Sequence, residues 1–204
     1  MEINTLEYWN DYEVEVLSDL PKQGTTYIFQ QIQKEQSNSN GLVLEVPVKT
    51  SDYLVLKVKS NDGFTWIGKF KPGLEGISGI YATPSESILC VVMRGQGYWV
   101  PVDSPQDYEI IPSIPIKKVI AVPKAEIMVF VDFVRLTAFD RNGLIWQTPS
   151  LSYDGLTINR VTSNLLEGTA WDAPNNQEIK FTVNILDGTS KGGASPEIHS
   201  VVPR

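Results

Sequence analysis

Hydrophobic positions along the chain come in short runs, continuous or alternating with polar residues, and each run is soon cut by Gly, Pro, Asn or Asp. The stretch 127–134 is the longest nearly apolar run, and Asp132 interrupts it. Runs of this length between turn residues are typical of β-strands, and the spacing of an amphipathic helix is almost missing. The pattern therefore predicts an all-β chain.

One β-hairpin is visible in its turn residues. Apolar segments at 135–139 and 144–146 flank Asn142 and Gly143. Asn-Gly readily adopts the positive φ values that a tight reversal requires, and its apolar flanks are expected to face the core. The segment predicts two antiparallel strands joined at residues 140–143.

An earlier segment repeats this order. Gly63 and Trp66 precede Gly143 and Trp146 by the same 80 residues. Two landmarks at one offset indicate that the hairpin occurs twice.

A shorter offset is present between the two hairpins. Ala82 and Pro84 recur as Ala121 and Pro123, 39 residues later, and an apolar run follows each pair. A period near 40 residues accounts for the 39, and two periods account for the 80. We interpret residues 1–204 as a single all-β domain with four repeat units and a frayed tail. The units lie at 22–73, 74–113, 114–150 and 151–193, and the tail at 194–204.

Antiparallel four-stranded units of about 40–50 residues are typical of β-propeller blades, so the fold class we predict is propeller-like. Each unit is too small to bury both of its faces alone, which favours packing against its neighbours. Residues 12–17 are a candidate closing strand for the last unit. The alternative is a two-sheet β-sandwich or jelly roll, which the same rhythm of strands and turns also fits.

The C-terminal half carries a resemblance to known proteins. Its marks are Trp146, the Tyr-Asp-Gly turn at 153–155, the Trp-Asp pair at 171–172 and Gly192. Over residues 130–193 the chain resembles stretches of small bacterial proteins with propeller-like repeats and no assigned activity. The resemblance implies a repeated β fold and identifies no functional family and no functional residues.

Composition and charge narrow the partners. The chain has 204 residues, a formal net charge of −7 and a pI near 4.8. Binding to nucleic acid needs clustered Lys and Arg, so we expect no nucleic-acid partner and no anionic lipid partner. The first residues show no secretory signal, and the longest apolar run is too short to cross a membrane. With a single cysteine, which excludes an internal disulfide, these absences predict a cytoplasmic protein.

Histidine and cysteine are too few for the common catalytic and metal sites. His199 and Cys90 are single residues of their kinds. A zinc site needs three or four such ligands, and a Ser–His–Asp device would place its base on a frayed tail. Cys90 lies in an apolar run, so we expect a buried, inert thiol. We predict no catalytic residue, no metal and no cofactor.

Carboxylates are the remaining candidates for chemistry. Asp140, Asp154, Asp172 and Asp187 all lie at turns, where Asp commonly accepts hydrogen bonds from its own turn. Two of them could instead converge as a glycosidase pair. Asp132, within an apolar strand, must be paired or neutralised. Its expected partner is a cation, from the set Arg135, Arg94 and Lys117.

Aromatic residues beside Gly, Asp or Pro supply the best indication of a binding surface. Rigid aromatic side chains are common anchors for protein partners and sugars. Trp at a strand end also commonly packs between sheets, so both roles stay open. The predicted binding residues are Tyr153, Asp154, Trp171, Asp172 and Trp99.

Three functions fit these observations. The first is a non-catalytic binding or protein-interaction module with a protein or carbohydrate ligand. The second is a carbohydrate-active hydrolase that uses an Asp pair, such as Asp140 with Asp172 or Asp132. The third is a small acidic inhibitor or immunity-type protein that covers a basic partner. The residues lean against an enzyme and leave the oligomeric state open.

Overall fold

A computed structural model describes residues 3–30 and 53–194. Across these residues the chain is all-β, as predicted, with 17 strands and three single-turn 3-10 helices. No helix within the described ranges is long and apolar enough to cross a membrane. The strands form four sheets that follow one another along the chain.

The first sheet has four strands in the order β2-β4-β5-β3. They are β2 (Glu13–Leu17), β3 (Thr26–Phe29), β4 (Leu54–Lys59) and β5 (Thr65–Phe70). All neighbours are antiparallel except β3, which runs parallel to β5. The predicted hairpin before Trp66 is the β4–β5 pair.

The second sheet has five strands in the order β1-β6-β7-β8-β9. They are β1 (Ile3–Asn4), β6 (Gly79–Ala82), β7 (Ile88–Met93), β8 (Gln96–Pro101) and β9 (Glu109–Ile111). The short β1 runs parallel to β6, and the other neighbours are antiparallel.

The third and fourth sheets are antiparallel, four-stranded and in simple chain order. The third contains β10 (Lys118–Val122), β11 (Ile127–Val131), β12 (Leu136–Asp140) and β13 (Gly143–Gln147). The fourth contains β14 (Leu156–Val161), β15 (Leu165–Asp172), β16 (Gln177–Asn184) and β17 (Ser190–Gly192). The β12–β13 pair is the hairpin predicted from Asn-Gly, and Gly143 has the expected positive φ of 108°.

Successive sheets pack against each other through three hydrophobic cores, which we call the first, second and third seams. Strand β7 shows how alternation builds them. Leu89 and Val91 lie in the first seam, and Cys90 and Val92 lie in the second. Because both faces of the second and third sheets are covered, their strands read as continuous apolar runs rather than as alternating ones.

Each seam contains one tryptophan. Trp66 lies in the first seam, Trp99 in the second and Trp146 in the third. Trp66 Nε1 donates to the carbonyl of Val102, at 2.9 Å. Trp146 Nε1 donates to the carbonyl of Ile185, at 2.7 Å. Both carbonyls come directly after the third meander strand of the next sheet, so two tryptophans 80 residues apart make the same kind of contact.

The N-terminal segment ties three sheets together. After β1, the hydroxyl of Tyr8 donates to the carbonyl of Ile127 in the third sheet, at 2.7 Å. The hydroxyl of Tyr12 donates to the carbonyl of Ile88 in the second sheet, at 3.0 Å. The next strand, β2, pairs with β4 of the first sheet. The expectation that residues 12–17 close the last unit is therefore wrong, because their hydrogen bonds go to the first sheet.

The connections between strands lie at the two ends of the sheets. One end, the acidic end, carries segments 5–12, 60–64, 83–87, 102–108, 123–126, 141–142, 162–164 and 185–189. The other end, the groove end, carries segments 71–78, 94–95, 112–117, 132–135, 148–155 and 173–176. The acidic-end segments contain eight Asp or Glu and two Lys or Arg, whereas the groove-end segments contain three and four.

Candidate functional site

Asp132 forms the tight connection between β11 and β12. Its Oδ1 accepts hydrogen bonds from the backbone N–H groups of Val134 and Arg135, each at 2.7 Å. Its Oδ2 accepts from the hydroxyl of Ser113, at 3.3 Å, and the side chain of Ser113 is fully buried. No ion pair found in the described residues includes Asp132, so the expected partner cation is replaced by backbone amides and a hydroxyl.

The same turn is hydrogen-bonded to the segment that leads into the fourth sheet. The N–H of Leu151 donates to the carbonyl of Val134, at 2.7 Å, and the N–H of Gly155 donates to that of Phe133, at 2.8 Å. Together with the Ser113 contact, these bonds fix the turn against two other loops. The three loops form one rigid unit, since each backbone contact is satisfied within it.

Tyr153 is held on the fourth sheet. Its N–H donates to the carbonyl of Trp171, at 3.1 Å, and the N–H of Trp171 donates to that of Gly155, at 3.2 Å. The buried hydroxyl of Ser152 reinforces this pairing by donating to the carbonyl of Gly155, at 2.7 Å. The backbone of Tyr153 is thus as firmly placed as that of a strand residue, although it lies in a loop.

Between these loops lies a pocket of about 470 Å³, which we call the end groove. Two of its side chains expose large apolar surface, Ile114 (46%) and Tyr153 (40%). Phe133 and Val134 are half-buried in its wall. Its full lining is Pro112, Ile114, Asp132, Phe133, Val134, Arg135, Tyr153 and Asp154.

Charges at the end groove are few and exposed. Asp154 accepts no hydrogen bond and joins no ion pair from any part of the chain that the structure describes. The Nε of Arg135 donates to the hydroxyl of Ser150, at 3.3 Å, and its guanidinium remains exposed. The ammonium of Lys117 lies 4.3 Å from the ring centre of Phe133, so one face of that ring is covered by a cation.

Two of the five predicted binding residues, Tyr153 and Asp154, therefore line the end groove. Trp171 pairs with Tyr153 through the backbone but lies on the outer face of the fourth sheet. Asp172, next along β15, is buried at 5% exposure and accepts from the amide of Asn175, at 2.7 Å. The side chains of these two neighbours point to opposite faces because side chains alternate along a strand.

The fifth predicted residue, Trp99, is buried in the second seam at 2% exposure. Its ring packs against Phe139 and Phe130, with ring centres 5.0 Å and 6.4 Å away. Its Nε1 has no hydrogen-bond partner and is surrounded by these rings. Of the two roles left open for such a tryptophan, Trp99 occupies the packing one, and its ring does not reach solvent.

The structure gives no support to an Asp pair. Asp132 and Asp140 lie at opposite ends of β12, which is about 13 Å long at roughly 3.3 Å per residue, beyond the ~5–10 Å of glycosidase carboxylates. Asp140 accepts from the N–H of Asn142, at 2.7 Å, and so holds its own turn. Asp172 lies at the groove end, the far end of the sheets from Asp140. Within the described ranges, no three His, Cys, Asp or Glu side chains are grouped as metal ligands.

Cys90 is fully buried in the second seam. Burial among apolar side chains raises the pKa of its thiol, because the charged thiolate would be desolvated there. His199 and the predicted tail at 195–204 lie outside the described residues.

Sequence reasoning missed half of the end groove. Ile114, Phe133 and Val134 belong to no motif, and Ile114 lies about 40 residues from Tyr153 in the chain. The available signal was Asp132, whose place in an apolar run marks a special environment. Its meaning depended on Ser113, a contact across the second and third sheets that a sequence does not reveal.

A second pocket, of about 340 Å³, lies on the outer face of the first sheet. Ile67 forms part of its base, and the loop containing Pro21 and Gly24 covers it. Glu15 and Lys57, which pair at 3.5 Å, lie at its rim. Its charges are matched within the chain, and none of the predicted binding residues reaches it.

Comparisons with known proteins add little to this geometry. No protein-family model and no curated protein matches the chain. Among solved structures, the chain is similar to one chain of an S. cerevisiae assembly that contains Dbp5, Nup159, Gle1, IP6 and ADP. The identity is 12%, the match covers 99% of this chain and 56% of that chain, and the TM-score is 0.36. A likeness at this TM-score carries no argument about fold or function.

Proposed function

We propose that this protein is a non-catalytic protein-interaction module that binds a partner segment in the end groove. The observation that carries the proposal is the exposed apolar pair Ile114 and Tyr153 on a hydrogen-bonded frame. Apolar side chains with a few nearby polar groups, held in a preformed concavity, are the usual composition of a binding site.

Rigidity is what separates this groove from an ordinary exposed patch. Asp132 connects its turn to Ser113, and the same turn accepts from the N–H groups of Leu151 and Gly155. A partner that binds there need not order these loops, so little of the association free energy is lost to conformational entropy.

A protein ligand fits the groove better than a carbohydrate. Ile114, Val134 and Pro112 offer aliphatic surface, which gains free energy by covering another apolar side chain. Sugars instead need flat aromatic faces with several hydrogen-bonding groups around them. Of the two aromatic rings in the groove, Phe133 already has the ammonium of Lys117 over one face.

We further propose that the four sheets form an open, propeller-like array. The packing of both faces of the second and third sheets supports it, since a two-sheet sandwich covers one face of each sheet. The outer faces of the terminal sheets carry cross-strand ion pairs, such as Glu13 with Lys59 and Glu167 with Arg160. Polar outer faces are typical of the capping units of repeat arrays. A crystal structure in which the first and fourth sheets pack face to face would contradict this arrangement.

One observation favours the acidic inhibitor or immunity-type function as a second candidate. The acidic-end segments carry eight acidic against two basic residues, and Trp9 lies among them at 67% exposure. A surface of this kind suits a basic partner. Binding that is lost in Glu86→Lys and kept in Ile114→Ser would favour this candidate over the end groove.

The test of the main proposal compares partner capture by matched variants. The wild-type chain, Ile114→Ser, Tyr153→Ala and the control Leu186→Ser, which alters an exposed apolar residue at the acidic end, are used as baits in a lysate of the source organism. We expect the same captured protein with wild type and Leu186→Ser and its loss with the two groove variants. Capture that is equal with all four baits, or binding to a glycan array that depends on Tyr153, would contradict a protein-binding groove.

A further inference from the structure

The end groove has a charge that its own residues leave unmatched. Asp154 is exposed at the groove and has no hydrogen-bond or ion-pair partner among the residues the structure describes. Arg135, the other exposed charge of the lining, already donates to the hydroxyl of Ser150. The acceptor that remains without a donor in the groove is therefore the Asp154 carboxylate.

The field of the whole molecule has the same sign. The formal net charge is −7, so a cationic segment is attracted to the protein and an anionic one is repelled. Lys117 does not neutralise Asp154, since its ammonium lies over the ring of Phe133 and within 3.9 Å of the carboxylate of Glu75.

The apolar part of the groove lies beside this carboxylate. Tyr153 is the neighbour of Asp154 in the chain, and the pocket joins both residues to Ile114 on the facing loop. A side chain that covers Ile114 and Tyr153 would bring the next residue of an extended segment near Asp154, because successive residues are only about 3.3 Å apart along such a segment.

We infer that the end groove binds an extended segment of another protein in which an aliphatic or aromatic side chain stands next to Lys or Arg. The apolar side chain covers Ile114 and Tyr153, and the basic side chain pairs with Asp154. This inference rests on the proposed function, since it names the partner chemistry of the same groove.

Phage-displayed random dodecapeptides provide the probe. The full chain is the target, and selections on wild type are compared with selections on Ile114→Ser. Enriched peptides are then synthesised, and their Kd is measured by fluorescence polarisation at low and high NaCl. We expect peptides with an apolar residue beside Lys or Arg, whose binding is weakened in Ile114→Ser and at high salt.

Asp154→Asn tests the charge, with Asp103→Asn at the acidic end as its matched control. An exposed ion pair contributes little, so we expect Asp154→Asn to weaken these peptides about two- to fivefold and to reduce their salt dependence, and Asp103→Asn to change neither. Circular dichroism checks that each variant is folded.

The failures of the two proposals are distinguishable. Peptides that depend on Ile114 but carry Asp or Glu, or that bind Asp154→Asn as tightly as wild type, would overturn the basic-segment inference and leave the binding groove in place. If no enriched peptide depends on Ile114, both proposals fail. Sedimentation that shows a dimer lost in Ile114→Ser would assign the groove to a second copy of this chain and overturn the inference.

Discussion

At the scale of single residues, Asp132 organises the groove end of the molecule. Its two oxygens satisfy two backbone N–H groups and the hydroxyl of Ser113. We expect Asp132→Ala to lower the free energy of unfolding by about 2–4 kcal/mol, because it leaves these buried donors without an acceptor. Urea denaturation measures this change.

Asp140→Ala is the matched control for that experiment. Asp140 also accepts from a backbone N–H in its own turn, but this contact is exposed, so water can replace it. We expect a loss of only about 0.5–1 kcal/mol in this variant. Equal losses in the two variants would mean that the Asp132 contacts do not stabilise the groove.

Cys90 allows a second test at the residue scale. The thiol is fully buried, and burial raises its pKa, so little thiolate is present and reagents do not reach it. We expect Ellman's reagent to leave the native protein unmodified and to react with one thiol per chain in guanidinium chloride. Rapid reaction of the native protein would contradict the position of Cys90 in the second seam.

At the scale of elements, the three seam tryptophans permit a direct comparison. Trp66 and Trp146 each donate to a carbonyl of the next sheet, whereas Trp99 donates to none. We expect Trp66→Phe and Trp146→Phe to lower the free energy of unfolding by about 1–2 kcal/mol more than Trp99→Phe, since only they leave a buried carbonyl without its donor. Chemical denaturation of the three variants gives the comparison, and a Trp99→Phe loss as large as the others would contradict it.

Tyr8 connects the N-terminal segment to the third sheet, and this connection depends on pH. Burial raises the pKa of Tyr8 to about 12, from an ordinary value of about 10 in the unfolded chain. The neutral hydroxyl is thus favoured in the folded state. Its contribution to stability is complete below about pH 10 and is lost as the pH rises towards about 12.

We expect the urea midpoint of the wild type to fall between about pH 10 and about pH 12 more steeply than that of Tyr8→Phe. Near neutral pH the variant is less stable by about 1 kcal/mol, because the bond to the carbonyl of Ile127 is missing. Parallel curves for the two proteins across this range would show that Tyr8 does not carry the alkaline dependence.

At the scale of the whole molecule, the distribution of charge divides the two ends. Six of the eight acidic residues in the acidic-end segments are Glu7, Asp11, Glu86, Asp103, Asp107 and Asp62. Like charges repel at low ionic strength, and salt screens them. We expect the Tm to rise when NaCl is added to a low-salt buffer and to rise less in Glu86→Lys, as measured by thermal denaturation. A Tm that falls with salt would show that favourable ion pairs outweigh this repulsion.

The strand pattern of this protein was determined by local sequence. Asn142 and Gly143 identified their hairpin because the turn itself requires positive φ, and the apolar run of β11 identified a strand covered on both faces. Such features depend on residues only a few positions apart, so they can be predicted from the chain alone. The pairing of residues 13–17 with the first sheet could not be, because strand pairing is decided by contacts distant in sequence.

Only the tertiary structure decided which residues form the candidate site. Tyr153 and Asp154 were predicted from their turn, but Ile114 and Phe133 carry no local signal and join them through sheet packing. Trp99 and Tyr153 look alike in sequence, as aromatic residues near turns, yet one fills a seam and the other lines the groove. Burial separates them, and burial depends on which sheets face each other.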